Sequence, residues 1–179
     1  METTDALPDD YAVCIAGHGS RDKDGIEEFL TLSSKFKERE PKRIVECGFL
    51  EFAKPTIDEA IEKCAQDGIK NIVVIPGVLM AAGHAKNDMP SEVIAVSRKY
   101  PSLNITYGRA LDVHPKVLKV CEKRIQTAEN DSKSSIARSD TLLMTVGRGS
   151  SDPDANSNIV KISRMLWEGM GFGWSETSF

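Results

Sequence analysis

His18, Glu51 and His84 are evenly spaced along the chain, each 33 positions after the one before. Two imidazoles and one carboxylate can hold a divalent first-row ion while leaving coordination positions open, so the ion can be handed on rather than caged. Histidine also titrates near neutral pH, so His18 can accept a proton in the same site where it ligates. Each residue has a plainer use when taken alone. His18 in GHGSRD can bond its own turn, Glu51 can head a helix as a solvated carboxylate, and His84 in AAGHAKNDMP can stand at a helix start. The equal spacing joins them into one expected site. His114, directly before Pro115, is read instead as a residue that starts a helix. The glycines of GHGSRD would also suit an anion at a helix N-terminus, but neither the G-x-G-x-x-G nor the G-K-[ST] fingerprint is present.

Equal spacing matters only if the elements between these residues bring them to one edge. Short apolar runs, YAVCIA at 11–16, RIVECGFL at 43–50, NIVVIP at 71–76 and the weaker NITYG at 104–108, read as strands. Between and after them, GIEEFLTLSSKFKERE, PTIDEAIEKCAQDG, DMPSEVIAVSRKY and HPKVLKVCEKRIQTA carry apolar residues at helical spacing. Strand alternating with helix implies an α/β, doubly wound parallel sheet with helices on both faces. Ligands of such sheets bind beyond the carboxyl ends of the strands. His18 follows the first strand, Glu51 the second, and His84 lies in the loop after the third.

Composition narrows the rest. The 179 residues can bury one ordinary core, or one domain with part of a second, and 40% hydrophobic with 28% charged is the mix of a folded soluble domain. No apolar run approaches the roughly 18 residues of a membrane-spanning helix. The acidic start METTDALPDDY is unlike a secretory signal, so no membrane association and a cytoplasmic location are expected. A net charge of -4 with dispersed lysines and arginines gives no footprint for nucleic acid. Cys14, Cys47, Cys64 and Cys121 form no C-x-x-C pair and are read as buried thiols.

The polar stretch 129–140, ENDSKSSIARSD, reads as a linker after a domain spanning 1–128. Residues 141–179 then repeat the opening of the chain at a constant offset of 130. Gly17, Gly19, Ser20, Asp22, Glu46 and Phe49 recur as Gly147, Gly149, Ser150, Asp152, Glu176 and Phe179, while Arg148 stands in the place of His18. This predicts a duplicated strand, helix and strand, truncated or naturally degenerate after its second strand. Such a half-domain should expose a sheet edge and the apolar side of its helix, including Leu166 and Trp167. It is expected to cover the first domain or to pair with a second copy as a homodimer.

Three segments, Ala16-Gly17-His18-Gly19-Ser20-Arg21, Phe49-Leu50-Glu51-Phe52-Ala53-Lys54-Pro55-Thr56-Ile57 and Gly83-His84-Ala85-Lys86-Asn87-Asp88-Met89-Pro90, resemble in order the signatures of the sirohydrochlorin cobaltochelatases called CbiX. The likeness spans residues 11–128, with GRGSSDPDAN resembling the start of the second half in long two-domain members. What the resemblance implies is a class II chelatase, a lyase that inserts metal into sirohydrochlorin for cobalamin or siroheme biosynthesis. It implies His18 and His84 as catalytic residues, and His18, Glu51 and His84 as metal ligands. Leu79, Met80, Ala81, Ala82 and Gly83 would line the macrocycle, while Arg21 and Lys86 are expected to pair with its carboxylates. No cofactor is expected beyond the divalent metal substrate, Co2+ first, with Fe2+ and Ni2+ as alternatives. Two other classes stay open here: a metal- or tetrapyrrole-binding protein without turnover, and a partner subunit for another chelatase.

Overall fold

A computed structural model describes residues 7–66, 68–132 and 135–179. It divides into two compact units, Met1–Val78 with Gly83–Ala110 and Leu79–Ala82 with Leu111–Phe179.

The first unit is built on four parallel strands: β1 (Tyr11–Gly17), β2 (Val45–Phe49), β3 (Asn71–Pro76) and β4 (Asn104–Tyr107), in the order β2-β1-β3-β4. Strand β1 is central and buried on both sides, which is why its sequence shows no polar alternation. Its two faces are filled differently. Ala12, Cys14 and Ala16 form the smaller face, against Ile57, Ala60, Ile61 and Cys64 of α2 (Ile57–Gln66) and Met89, Val93 and Val96 of α3 (Met89–Lys99). Val13 and Ile15 face the other way with Val45 and Cys47, against Phe29 and Phe36 of α1 (Lys23–Arg39). The helices therefore cover both faces, as the strand–helix alternation predicts. Phe49, Ile57, Ile61, Ile72 and Met89 are fully buried, each contributing about 1.5–3 kcal/mol of apolar burial.

Local chemistry starts these helices. Asp22 caps α1 by accepting the Asp24 amide at 3.1 Å. Before α2, Thr56 and Glu59 form a reciprocal capping box: the Thr56 hydroxyl accepts the Glu59 amide at 3.2 Å, and the Glu59 carboxylate accepts the Thr56 amide at 2.7 Å. The segment from His84 to Asp88 is a π-helical turn leading into α3, where the sequence suggests a plain loop.

The second unit contains α4 (Pro115–Ser132), a 3-10 turn at Arg138–Asp140, β5 (Leu142–Val146), α5 (Pro153–Met170) and β6 (Trp174–Ser178), with β5 and β6 parallel. The expected strand–helix–strand repeat is present. The expected linker differs. Residues 129–132 are the last turn of α4, and 133–134 lie outside the described residues. Arg138 is an anchor rather than a spacer, its guanidinium paired through two nitrogens with the Glu129 carboxylate and donating to the Met170 carbonyl at 3.3 Å. The expected boundary at 128 therefore falls inside α4, which groups with α5 in the second unit. A polar, small-residue composition can be satisfied by side-chain pairing as well as by solvent, and here pairing prevails.

The exposed apolar surface of this unit is also placed differently. Leu166 is buried, 5% exposed, and Trp167 packs edge-on against Trp174 with ring centroids 4.8 Å apart. Helix α5 has turned its apolar side onto the β5–β6 sheet. Leu142, Met144 and Val146 of β5 and Trp174 of β6 are exposed, alternating with half-buried residues, and Val160 and Met165 of α5 are exposed as well.

Among the described helices, none is long and apolar enough to cross a membrane.

Candidate functional site

The β1–β2 ladder continues past both strands. The Leu50 amide donates to the Gly17 carbonyl at 2.9 Å, and the Glu51 amide donates to the His18 carbonyl at 3.0 Å. These bonds hold His18 and Glu51 side by side at the carboxyl edge of the sheet. The two loops cross so closely that a Cβ added to Gly19, whose φ is +90°, would lie 1.7 Å from the Glu51 carbonyl oxygen. Glycine is required there by both conformation and space.

The side chains meet as their backbones do. His18 Nε2 lies 3.3 Å from Glu51 Oε1, with the two side chains 35% and 42% exposed. His18 Nδ1 lies 3.0 Å from the Gly19 carbonyl oxygen. A carbonyl only accepts, so the hydrogen of that bond belongs to Nδ1, and Nε2 is the nitrogen that faces the Glu51 carboxylate. A neutral imidazole would aim a lone pair at a carboxylate oxygen, an arrangement that favours a cation between or beside them. Either a proton, making imidazolium against carboxylate, or a divalent metal ion satisfies it.

The ring of Phe52 lies beside the imidazole, with centroids 6.2 Å apart, and the Arg21 guanidinium stands 4.8 Å from the Phe52 centroid. Arg21 therefore stacks on the ring that neighbours the His18 imidazole. His84 begins the π-helical turn after β3, the strand flanking β1 opposite β2, but its imidazole lies outside the described side chains. Among the described residues, no set of three His, Cys, Asp or Glu gathers to hold a metal; His18 and Glu51 stand as a pair. Lys86 is exposed in the π-helical turn, and Gly83 precedes it in the first unit. Leu79, Met80, Ala81 and Ala82 belong to the second unit, where the Asp112 amide donates to the Leu79 carbonyl at 2.7 Å.

His114 acts as a helix start, its Nδ1 accepting the Lys116 amide at 3.1 Å. Cys14, Cys47 and Cys64 are buried and Cys121 half-buried, all as free thiols. Burial, with Cys64 and Cys47 adding to it, pushes the Cys14 thiol up and away from nucleophilic use.

Two residues at the site carried no signal used above. Phe52 adopts φ 63°, which a bulky side chain rarely tolerates. Its position in FLEFAKP shows the residue but not the conformation. Tyr107 donates its hydroxyl to the Ala85 carbonyl at 3.0 Å, tying β4 to the turn that begins at His84. Burial pushes that hydroxyl up, so it remains a donor. His18 also lines a cleft of about 170 Å³ together with Ser20, Ile26, Phe29 and Val78.

The sequence profile of the CbiX family matches residues 12–128. The chain is 39% identical over 169 residues to a sirohydrochlorin cobaltochelatase of Priestia megaterium, covering 94% of this chain and 54% of that one. It is 32% identical over 157 residues to a sirohydrochlorin ferrochelatase of Bacillus subtilis strain 168, covering 88% and 58%. Among solved structures, SirB from Bacillus subtilis with Fe3+ matches at TM-score 0.86 and 31% identity, covering 94% of this chain and 65% of that chain. SirB from Bacillus subtilis subspecies spizizenii in complex with cobalt matches at TM-score 0.80 and 29% identity, covering 93% and 66%. The chain spans a little over half the length of these curated relatives.

Proposed function

The chain belongs to the CbiX family, and from that premise we propose that it is a class II chelatase inserting Co2+ into sirohydrochlorin, with Fe2+ as the alternative metal. The product would feed cobalamin or siroheme biosynthesis. The observation that carries this reading is the His18–Glu51 pair at the carboxyl edge of the sheet, Nε2 facing the Glu51 carboxylate while Nδ1 bonds the Gly19 carbonyl.

Insertion replaces two pyrrole N–H protons with one divalent ion, so the site must hold the ion weakly and remove protons. His18 Nε2 can serve both steps in sequence: it ligates the incoming ion, and as the ion passes to the macrocycle it accepts one of the two pyrrole protons as imidazolium stabilised by Glu51, the other leaving to the second imidazole or to solvent water. Glu51 adds negative charge that attracts the cation and then balances the imidazolium. His84, on the turn after β3, supplies the second imidazole in this scheme. Arg21 and Lys86 pair with the substrate's carboxylates, and the small apolar run Leu79-Met80-Ala81-Ala82-Gly83 faces the macrocycle. The metal is a substrate here, and the chemistry requires no resident cofactor.

Anaerobic absorbance spectroscopy of sirohydrochlorin with Co2+ tests the reading. Wild-type protein should exceed the uncatalysed rate, and His18→Ala and His84→Ala should each lower it by about 100-fold or more. Glu51→Gln should lower it less, by about tenfold. Metal binding without acceleration would overturn the enzyme reading in favour of a binding protein.

A further inference from the structure

We propose that Phe52 is a positioning residue that holds the Arg21 guanidinium beside His18 for a substrate carboxylate, a role that rests on the reading of this site as a tetrapyrrole site. Three observations converge on it. Phe52 holds a left-handed backbone, φ 63°, where glycine would sit without strain and a bulky side chain is rare. Phe52 is 50% exposed, so burial does not account for the aromatic residue at this position. The exposed ring is occupied on one side by a cation, with the Arg21 guanidinium carbon 4.8 Å from its centroid, and lies beside the His18 imidazole, 6.2 Å between centroids.

Arg21 makes no ion pair or hydrogen bond with the described residues; its contact is this ring. An aromatic face restrains a guanidinium without consuming its N–H donors, which project from the edge of the plane. The donors therefore stay available for a bidentate carboxylate contact beside the ring that neighbours the His18 imidazole. A carboxylate partner for Arg21 would have restrained it equally well and cancelled its charge. The ring restrains it and leaves the charge in place, which suits a polycarboxylate ligand.

The test is metal-free titration of sirohydrochlorin by absorbance, alongside insertion kinetics. Phe52→Gly and Phe52→Leu should each weaken macrocycle binding and raise KM about tenfold, with kcat changed much less. Phe52→Tyr should restore both. Arg21→Ala should give a similar loss, and adding Phe52→Gly to it should cost little more, because both act through one contact. Binding of the fully esterified macrocycle should be indifferent to Phe52→Gly. Since glycine adopts φ 63° freely, Phe52→Gly should keep or raise Tm, whereas a purely structural Phe52 would lower Tm and leave binding alone. Wild-type binding that Phe52→Gly leaves unchanged, or losses that add fully with Arg21→Ala, would overturn the proposal while sparing the function. A wild-type protein that binds no tetrapyrrole would overturn both.

Discussion

The turn after β1 and the turn after β5 share their construction. In each, a serine hydroxyl accepts the amide of the aspartate two residues on, Ser20 from Asp22 at 3.0 Å and Ser150 from Asp152 at 3.1 Å. In each, that aspartate caps the following helix, and a glycine holds positive φ, +90° at Gly19 and +77° at Gly149. Ser33 and Ser163, buried polar residues of α1 and α5, stand at the same offset. What the turns present is different. His18 can lose a proton and ligate a metal; Arg148 remains charged and has no lone pair to offer. The sheet faces differ as well: Ala12, Cys14 and Ala16 are buried beneath α2 and α3, whereas Leu142, Met144 and Val146 at the matching positions are exposed. The same turn thus carries two different chemistries, and the proposed reactivity rests on one side chain, His18, and on the loop that crosses it.

The largest effect should come from giving the first turn the side chain of the second. His18→Arg should abolish metal insertion, by about 100-fold or more, while leaving the circular dichroism spectrum unchanged, because the same backbone accommodates arginine at 148. An active His18→Arg protein would erase the distinction between the turns.

Next in size is the contrast between the two glycines. Gly19→Ala would drive a methyl into the Glu51 carbonyl and should cost about 2–4 kcal/mol in urea unfolding. At Gly149 the nearest atom to an added Cβ is Phe179 Cβ, 3.4 Å away, so Gly149→Ala should cost only the left-handed conformation, about 1–2 kcal/mol. Equal losses would mean that the crossing of the Glu51 loop places no special demand on the first turn.

The smallest effect concerns how the second unit is closed. Arg138 holds the Glu129 carboxyl below its usual range through their paired hydrogen bonds. A depressed native pKa stabilises the fold above the unfolded value of about 4.3, and that contribution is lost as pH falls through the native value. Both side chains are about one-third exposed, so solvent screening should keep the contribution below about 1 kcal/mol. Glu129→Gln should therefore lower stability slightly at pH 7 and flatten that part of the acid dependence in denaturant titrations from pH 7 to pH 2.

Much of this molecule was legible from local patterns. Apolar runs and helical spacing are set by which face each element must bury, so the strands, helices and both-faces-covered sheet follow from them. The offset of 130 exposes the repeat because turn chemistry is written in adjacent residues. The proximity of His18 and Glu51 was inferable from their place after neighbouring strands. Three things were decided only by tertiary structure. The Glu51 amide bond to the His18 carbonyl and the contact at Gly19 depend on two loops crossing, a separation of more than thirty residues that no local pattern encodes. The left-handed backbone at Phe52, and the contacts of its ring with Arg21 and His18, exist only once those loops meet. Burial of Leu166 and pairing of Arg138 with Glu129 likewise depend on which surfaces close on one another. A sequence determines which groups must be buried or satisfied, whereas the identity of the partner that satisfies them is settled by the closed chain.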